Sequence, residues 1–267
     1  FQAEDGIRDV ERSRGLGDVY KRQNKKEMIM VNMLLASGLQ SGDLVGFTFF
    51  LGSVAMLAAT VFFFVERSSV SDEWKLSMRV SGLITLIAAV HYYYMRDVWV
   101  SSYMSPTEFR YIDWILTVPL MCVEFYLLTK TGLSKMITAS VVMLVAGYFG
   151  EASVFSVFGG SSPAVWGLIS GLAYFYIVNE VYQGDVAKAA KKAGKKIENA
   201  NGLLLKFVVI GWGIYPLGYL IGTADGQWYS FMAGLVDTDA RDLIYNVGDA
   251  INKIGFGLVV WSAAKDS

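Results

Sequence analysis

Lys253 and Asp249 stand four residues apart in an apolar stretch of a 267-residue chain. A second apolar stretch holds Arg110, Asp113, Thr117 and Glu124, and a third holds His91. Ionisable side chains inside membrane-length apolar segments are costly and mark function. Their spacing is helical. Asp113 and Thr117, four apart, share a face. Asp113 and Glu124, eleven apart, share a face nearly three turns away, roughly 16 Å along the axis. Lys253 lies one turn beyond Asp249. The set is a central lysine with two carboxylates on one side and a third carboxylate on the other. Arg110 is expected to join the two carboxylates in a paired cluster around the lysine.

Two chemistries suit this set. A buried lysine paired with Asp113 can simply fix helix packing. A desolvated lysine amine also condenses readily with a carbonyl compound to form a Schiff base. The packing reading does not account for Glu124. An unpaired carboxyl in apolar surroundings is normally neutral and can donate a proton. Acids and a lysine strung along the membrane normal therefore favour a proton path.

The elements that must position these groups are membrane helices. A bilayer-spanning helix needs about 20 mostly apolar residues. Seven stretches qualify: Leu44–Val65, Leu76–Met95, Phe109–Thr129, Met136–Gly150, Pro163–Tyr182, Leu203–Ile221 and Leu243–Ala264. The fourth is short unless it runs past Glu151. Alternating strand patterns of a membrane barrel are missing. The fold expected is an all-α membrane protein, a seven-helix bundle, in one domain over residues 44–267. Only 18% of residues are charged and mean hydropathy is +0.41, whereas soluble domains carry about 25% charged residues. A net charge of -1 gives no reason to expect a nucleic-acid partner. One histidine and one cysteine, Cys122, exclude a metal site built from several such ligands and any intrachain disulfide.

Basic residues set the expected orientation. Lys188, Lys191, Lys192, Lys195 and Lys196 fall between the fifth and sixth stretches. Arg67, Lys75, Lys130 and Lys135 fall in loops on the same side. The opposite loops are acidic or neutral, with Asp225, Asp237, Asp239 and Asp242 against Arg241. The N-terminus is then outside and the C-terminus cytoplasmic. Residues 1–23 are polar and charged; they resemble a translated sequencing-adapter segment and are set apart from the fold. Residues 24–43 contain a short apolar run, Met28–Ala36, that fits a signal-peptide remnant.

Several motifs resemble one family. Arg110-Tyr111-Ile112-Asp113-Trp114 followed by Thr117-Val118-Pro119 is similar to the third helix of proteorhodopsins, within the microbial rhodopsin family. His91-Tyr92-Tyr93-Tyr94-Met95-Arg96 resembles the end of their second helix, and Gly211-Trp212-Gly213-Ile214-Tyr215-Pro216 their sixth. Leu243-Ile244-Tyr245-Asn246 through Asp249 to Asn252-Lys253 resembles their seventh. The similarity runs from about Gly46 to Ala264.

That resemblance implies the microbial rhodopsin fold and all-trans retinal, held by Lys253 as a protonated Schiff base. It implies a light-driven outward proton pump in the bacterial inner membrane, a transporter rather than an enzyme. Asp113 would be the primary counterion and proton acceptor, Asp249 the second counterion and Glu124 the proton donor. His91 would hydrogen-bond Asp113 and tune it, and Arg110 would shape the outward path. Trp114, Trp212, Tyr215 and Pro216, with Tyr245, would line the chromophore. The triplet Asp113, Thr117, Glu124 is that of the proton pumps; related chloride and sodium pumps differ at its first positions. Met121 stands where the family tunes colour, leucine going with green and glutamine with blue, so green absorption is expected. Gly167 stands near a place where some relatives carry a glycine that admits a carotenoid antenna, though a packing glycine is the simpler reading. Relatives form rings of five or six, and the same is expected here. The alternative within the family is a sensory photoreceptor, against which Glu124 speaks.

Overall fold

The computed structural model describes residues 38–153 and 162–265. The adapter-like residues 1–23 and the segment around Met28–Ala36 lie outside the described residues. Residues 1–42 form one unit and Asp43–Ser267 another. Everything below concerns the second.

Among the described residues there is no strand, and seven spans make the bundle. They are α1 (Leu44–Glu66), α2 (Lys75–Ser102), α3 (Thr107–Thr129), α4 (Leu133–Glu151) and α5 (Pro163–Tyr182). Next come α6 (Asp185–Lys192), α7 (Lys195–Lys206), α8 (Ile214–Gly222) and α9 (Thr238–Lys265). The sixth span is α7 and α8 joined through a π-helical turn, Phe207–Gly211. Neighbours in sequence pack together, and α9 closes the bundle against α1 and α2.

Five of the spans are long and apolar enough to cross a membrane by composition alone. The second and seventh, α2 and α9, are not among them. These two carry His91, Arg96 and Asp97, and Asp242, Asp249 and Lys253. They remain helices because backbone groups must be satisfied internally in a bilayer. The apolar spans are hydrophobic outside as well as inside. Leu51, Leu57 and Val61 of α1 and Leu168, Leu172 and Phe175 of α5 are exposed, as a lipid-facing surface requires.

The sequence reading needs three corrections at helix ends. The lysines expected in a loop after the fifth span are helical: Lys188, Lys191 and Lys192 lie in α6, and Lys195 and Lys196 open α7. The second span runs on past Met95 to Ser102, with Trp99 donating to Asp43 at 3.0 Å. Asp43 also caps α1 by accepting from the Gly46 amide at 2.8 Å. The last span starts at Thr238, so Asp239, Arg241 and Asp242 belong to the helix rather than to a loop.

The break in the sixth span has a local cause. Pro216 has no N–H to give the Trp212 carbonyl one turn back. That carbonyl instead accepts from the Tyr215 amide at 3.1 Å, and on the preceding turn the Trp212 amide reaches the Phe207 carbonyl at 2.9 Å, the π-type bond. Tyr174 donates to the carbonyls of Val208 and Val209, at 3.0 and 3.2 Å, and steadies the irregular turn.

Candidate functional site

Lys253 lies at the centre of the bundle, 3% exposed, on the face of α9 that meets α3. Its Nζ forms ion pairs with Asp113 Oδ2 and, at 2.5 Å, with Asp249 Oδ2. Tyr215 donates to the other Asp249 oxygen at 3.0 Å, and Asn252 donates to the Tyr215 hydroxyl at 3.3 Å. Asn252 comes this near because Gly211 lacks a side chain; a Cβ there would lie 1.9 Å from its Oδ1. Asp113 Oδ1 has no partner within the protein. Thr117 turns its hydroxyl to the Asp113 backbone carbonyl at 2.8 Å, not to the carboxylate. Buried ions of this kind are tolerated only when paired and hydrogen-bonded.

A cavity of about 720 Å³ reaches from Lys253 and Asp249 to Trp114, Met121, Trp212, Tyr215 and Pro216. Small-molecule pockets run to roughly 300–1,000 Å³, with mostly apolar walls and a few placed polar groups. Tyr245 also lines it, edge-on to Trp114 with ring centres 5.9 Å apart, and Trp114 itself sits 4.7 Å from Tyr215. An amine at one end of an apolar, aromatic-walled cavity fits a long hydrophobic aldehyde joined to Lys253.

Glu124 is set apart. It is fully buried near the far end of α3, beside Ser77 and Ser81 of α2, and accepts from the Ser81 hydroxyl at 2.9 Å. Its Oε2 has no partner, and no cation pairs with it among the described residues.

Two expected contacts take other forms. Arg110 does not join the lysine cluster. It donates to Asp242 Oδ1 at 3.0 Å and to Asn246 at 3.2 Å, with its guanidinium over the rings of Tyr245 and Phe49. The helical extension of α9 is the reason, because it carries Asp242 inward beside Arg110. His91 contacts the Ile87 carbonyl with Nδ1 at 2.8 Å, and no hydrogen bond joins it to Asp113. Its own helix backbone satisfies that nitrogen instead.

Gly167 lines the cavity, and a Cβ on it would lie 2.6 Å from the Tyr219 ring. Tyr219 is anchored there by donating to the Pro163 carbonyl at 2.6 Å. The sequence reading missed Asp242, Asn246, Asn252 and Ser81. It also missed Glu151, which accepts from the Tyr111 hydroxyl at 2.8 Å. The signal for two of them was available: Asp242 and Asn246 continue the stripe of Asp249 and Lys253, with spacings of four, three and four on one helix face. No group among the described residues has the make-up of a metal site.

The comparisons agree with this architecture. Residues 43–267 match the family described as bacteriorhodopsin-like protein. A blue-light absorbing proteorhodopsin from Gamma-proteobacterium Hot 75m4 is 44% identical over 234 residues, 85% of this chain and 88% of that protein. A green-light absorbing proteorhodopsin from Gamma-proteobacterium EBAC31A08 is 42% identical, with 85% and 88% covered. The crystal structure of blue light-absorbing proteorhodopsin from Med12 is 40% identical, with a TM-score of 0.69 over 84% of this chain and 99% of that one. The chain belongs to the bacteriorhodopsin-like family of multi-pass, seven-helix membrane proteins.

Proposed function

We propose that this protein is a light-driven outward proton pump whose retinal is carried on Lys253. The observation that carries the reading is the asymmetry about that lysine: two carboxylates paired with Nζ on one side, and a lone buried carboxyl, Glu124, on the other. When bound, retinal supplies light absorption and the change of shape that moves the Nζ proton. Asp113, in direct contact with Nζ, takes that proton. Asp249, held by Tyr215, keeps a negative charge beside Nζ throughout. Glu124, with no cation to hold its charge, returns a proton to Nζ from the opposite side. His91 lies on α2 toward Asp113 and tunes it, while Thr117 fixes the turn of α3 that carries it. Trp114, Trp212, Tyr215, Pro216 and Tyr245 position the chromophore and exclude water.

The lysines of α6 and α7 support a cytoplasmic assignment for that side of the inner membrane. On this reading the N-terminus is outside, and Glu124 is on the cytoplasmic side of Lys253. Met121, buried and apolar in the cavity wall, supports green absorption. Gly167 is read as the seat for Tyr219, and a carotenoid antenna there would share the site with that ring. Assembly into rings of five or six belongs to the same reading.

Cells making the protein and supplied with retinal are expected to turn coloured and to acidify an unbuffered medium under light. A protonophore should abolish that acidification. Coloured cells that leave the pH unchanged would move the assignment to a photosensor, and a colourless wild type would end it.

A further inference from the structure

On one side of Lys253 buried charges follow one another out to Asp242, which accepts from Ser105 at 2.8 Å. The other side leaves a gap. Glu124 stands nearly three turns along α3 from Asp113, roughly 16 Å, and Asp113 is the group in contact with Nζ. Between Thr117 and Glu124 no side chain of α3 carries an oxygen. Helix α2 supplies oxygens instead. Ser77, Ser81 and Thr85 are spaced four apart on one stripe of it, each 2% exposed or less. α2 runs antiparallel to α3, and Ser81 bonds Glu124. Thr85 is therefore one turn, about 6 Å, nearer the level of Lys253. There it shares a hydrogen bond at 2.9 Å with the hydroxyl of Thr60 on α1, which is also buried. α1 and α9 run parallel, with Asn246 bonded to Thr48 and Gly257 set against Phe63. Thr60 thus falls opposite the turn of α9 that follows Lys253, and α9 packs against both α1 and α2.

Either hydroxyl of the pair can be the donor. Thr60 has the Met56 carbonyl at 2.8 Å, and Thr85 has those of Ser81 and Gly82 at 3.1 and 3.2 Å. Whichever hydroxyl gives its proton to the other, the second has a backbone acceptor for its own. The bond therefore reverses without leaving a buried group unpaired, which would cost about 1–3 kcal/mol. Resting on the pump reading above, we propose that the Thr60–Thr85 pair relays the proton from Glu124 to Lys253. The O–H bond of Glu124 breaks and an N–H bond forms at Nζ. Between them each hydroxyl takes up one proton and passes on another, with water completing the chain, so both threonines end neutral and Glu124 ends as a carboxylate. The passage reverses the Thr60–Thr85 bond. Rotation of the two hydroxyls onto their other acceptors resets it before the next cycle. The rival role is a plain tie between α1 and α2, as hydroxyls often provide between membrane helices.

The test compares retinal-loaded wild type with Thr85→Val, Thr85→Ser and Thr60→Val after a light flash. Valine keeps the shape of threonine and removes the hydroxyl; serine keeps the hydroxyl and removes the methyl. Visible absorption follows loss and return of the Nζ proton, and infrared difference spectra follow the Glu124 carboxyl. In Thr85→Val, loss of the Nζ proton should keep its wild-type rate. Its return should slow by about tenfold, the rate equivalent of one hydrogen bond, with deprotonation of Glu124 slowing in step. Thr60→Val should slow the return by a similar factor, and Thr85→Ser should bring it back to within about twofold of wild type. A wild-type return rate in Thr85→Val overturns the relay. Equal slowing in Thr85→Val and Thr85→Ser also overturns it, since the methyl and not the hydroxyl would then be what matters. Where Thr85→Val fails to hold colour, Thr60→Val decides, and a wild-type return rate in it overturns the proposal. Each of these failures leaves wild-type acidification intact, whereas failure of the pump reading removes it.

Discussion

The two halves of the bundle on either side of Lys253 are built on opposite principles. The half toward Ser105 is dense with charge: Asp113, Asp249, Asp242 and Arg110, tied together by Tyr215, Asn246 and Asn252. The half toward Glu124 has, in the described residues, no ion pair to that carboxyl; only hydroxyls, those of Ser77, Ser81, Thr85 and Thr60, accompany it among apolar side chains. A charged, bonded region lowers the cost of a proton arriving and leaving by small steps. An apolar region holding one acid lets a proton through only from that acid. On the pump reading proposed above, this contrast would supply the direction, with an easy exit and a controlled entry on either side of the same lysine.

The strongest way to break the contrast is to remove its centre. Lys253→Ala is expected to lose colour with added retinal and all light-driven acidification. It also leaves Asp113 and Asp249 facing each other unpaired, a loss of about 3–5 kcal/mol of stability. Absorption spectra and thermal melts of the purified protein check both. Asp113→Asn attacks the exit side alone. Colour should persist and acidification should fall to background on a pH electrode, since Nζ then has no acceptor in contact. Glu124→Gln attacks the entry side. Recovery after a flash should slow by about a hundredfold, because a positioned acid is worth roughly 10²–10⁴ in proton transfer. A wild-type recovery rate in this variant would remove Glu124 from the path.

Two milder changes sharpen the picture. Ser81→Ala deletes the 2.9 Å hydrogen bond from Ser81 to Glu124, worth about 0.5–1.5 kcal/mol, so recovery should change by roughly two- to tenfold in flash kinetics. Met121→Gln alters only the cavity wall. It should move the absorption maximum toward blue and leave the exit and entry rates near wild type.

Much of this was legible before any coordinates. A period of four between Asp249 and Lys253 forces them onto one helix face. Apolar runs mark the spans, five of them by composition alone, and a bilayer offers no partner but the helix itself for their backbone groups. Asp242 shows where such reading stops. Counted by local hydropathy it fell in an acidic loop, because a charged residue ends an apolar run. In the folded chain the Arg110 guanidinium stabilises it, so the helix continues through it. Arg110 was misplaced for the same reason: its expected partners were the nearest acids known to be buried, and its real one had been counted as solvated. His91 was expected to hydrogen-bond Asp113, yet its ring turns to the Ile87 carbonyl, a contact four residues away on its own helix.

The sequence by itself determined the helices, the face each acid shares, and the chemistry available to a lysine buried among carboxylates, because these depend on residue type and helical period. The tertiary structure alone decided which charges meet. Pairing across helices depends on register and rotation between α3 and α9, which no spacing within either helix encodes. That is why Lys253 holds Asp113 and Asp249, while Arg110 is drawn away to Asp242.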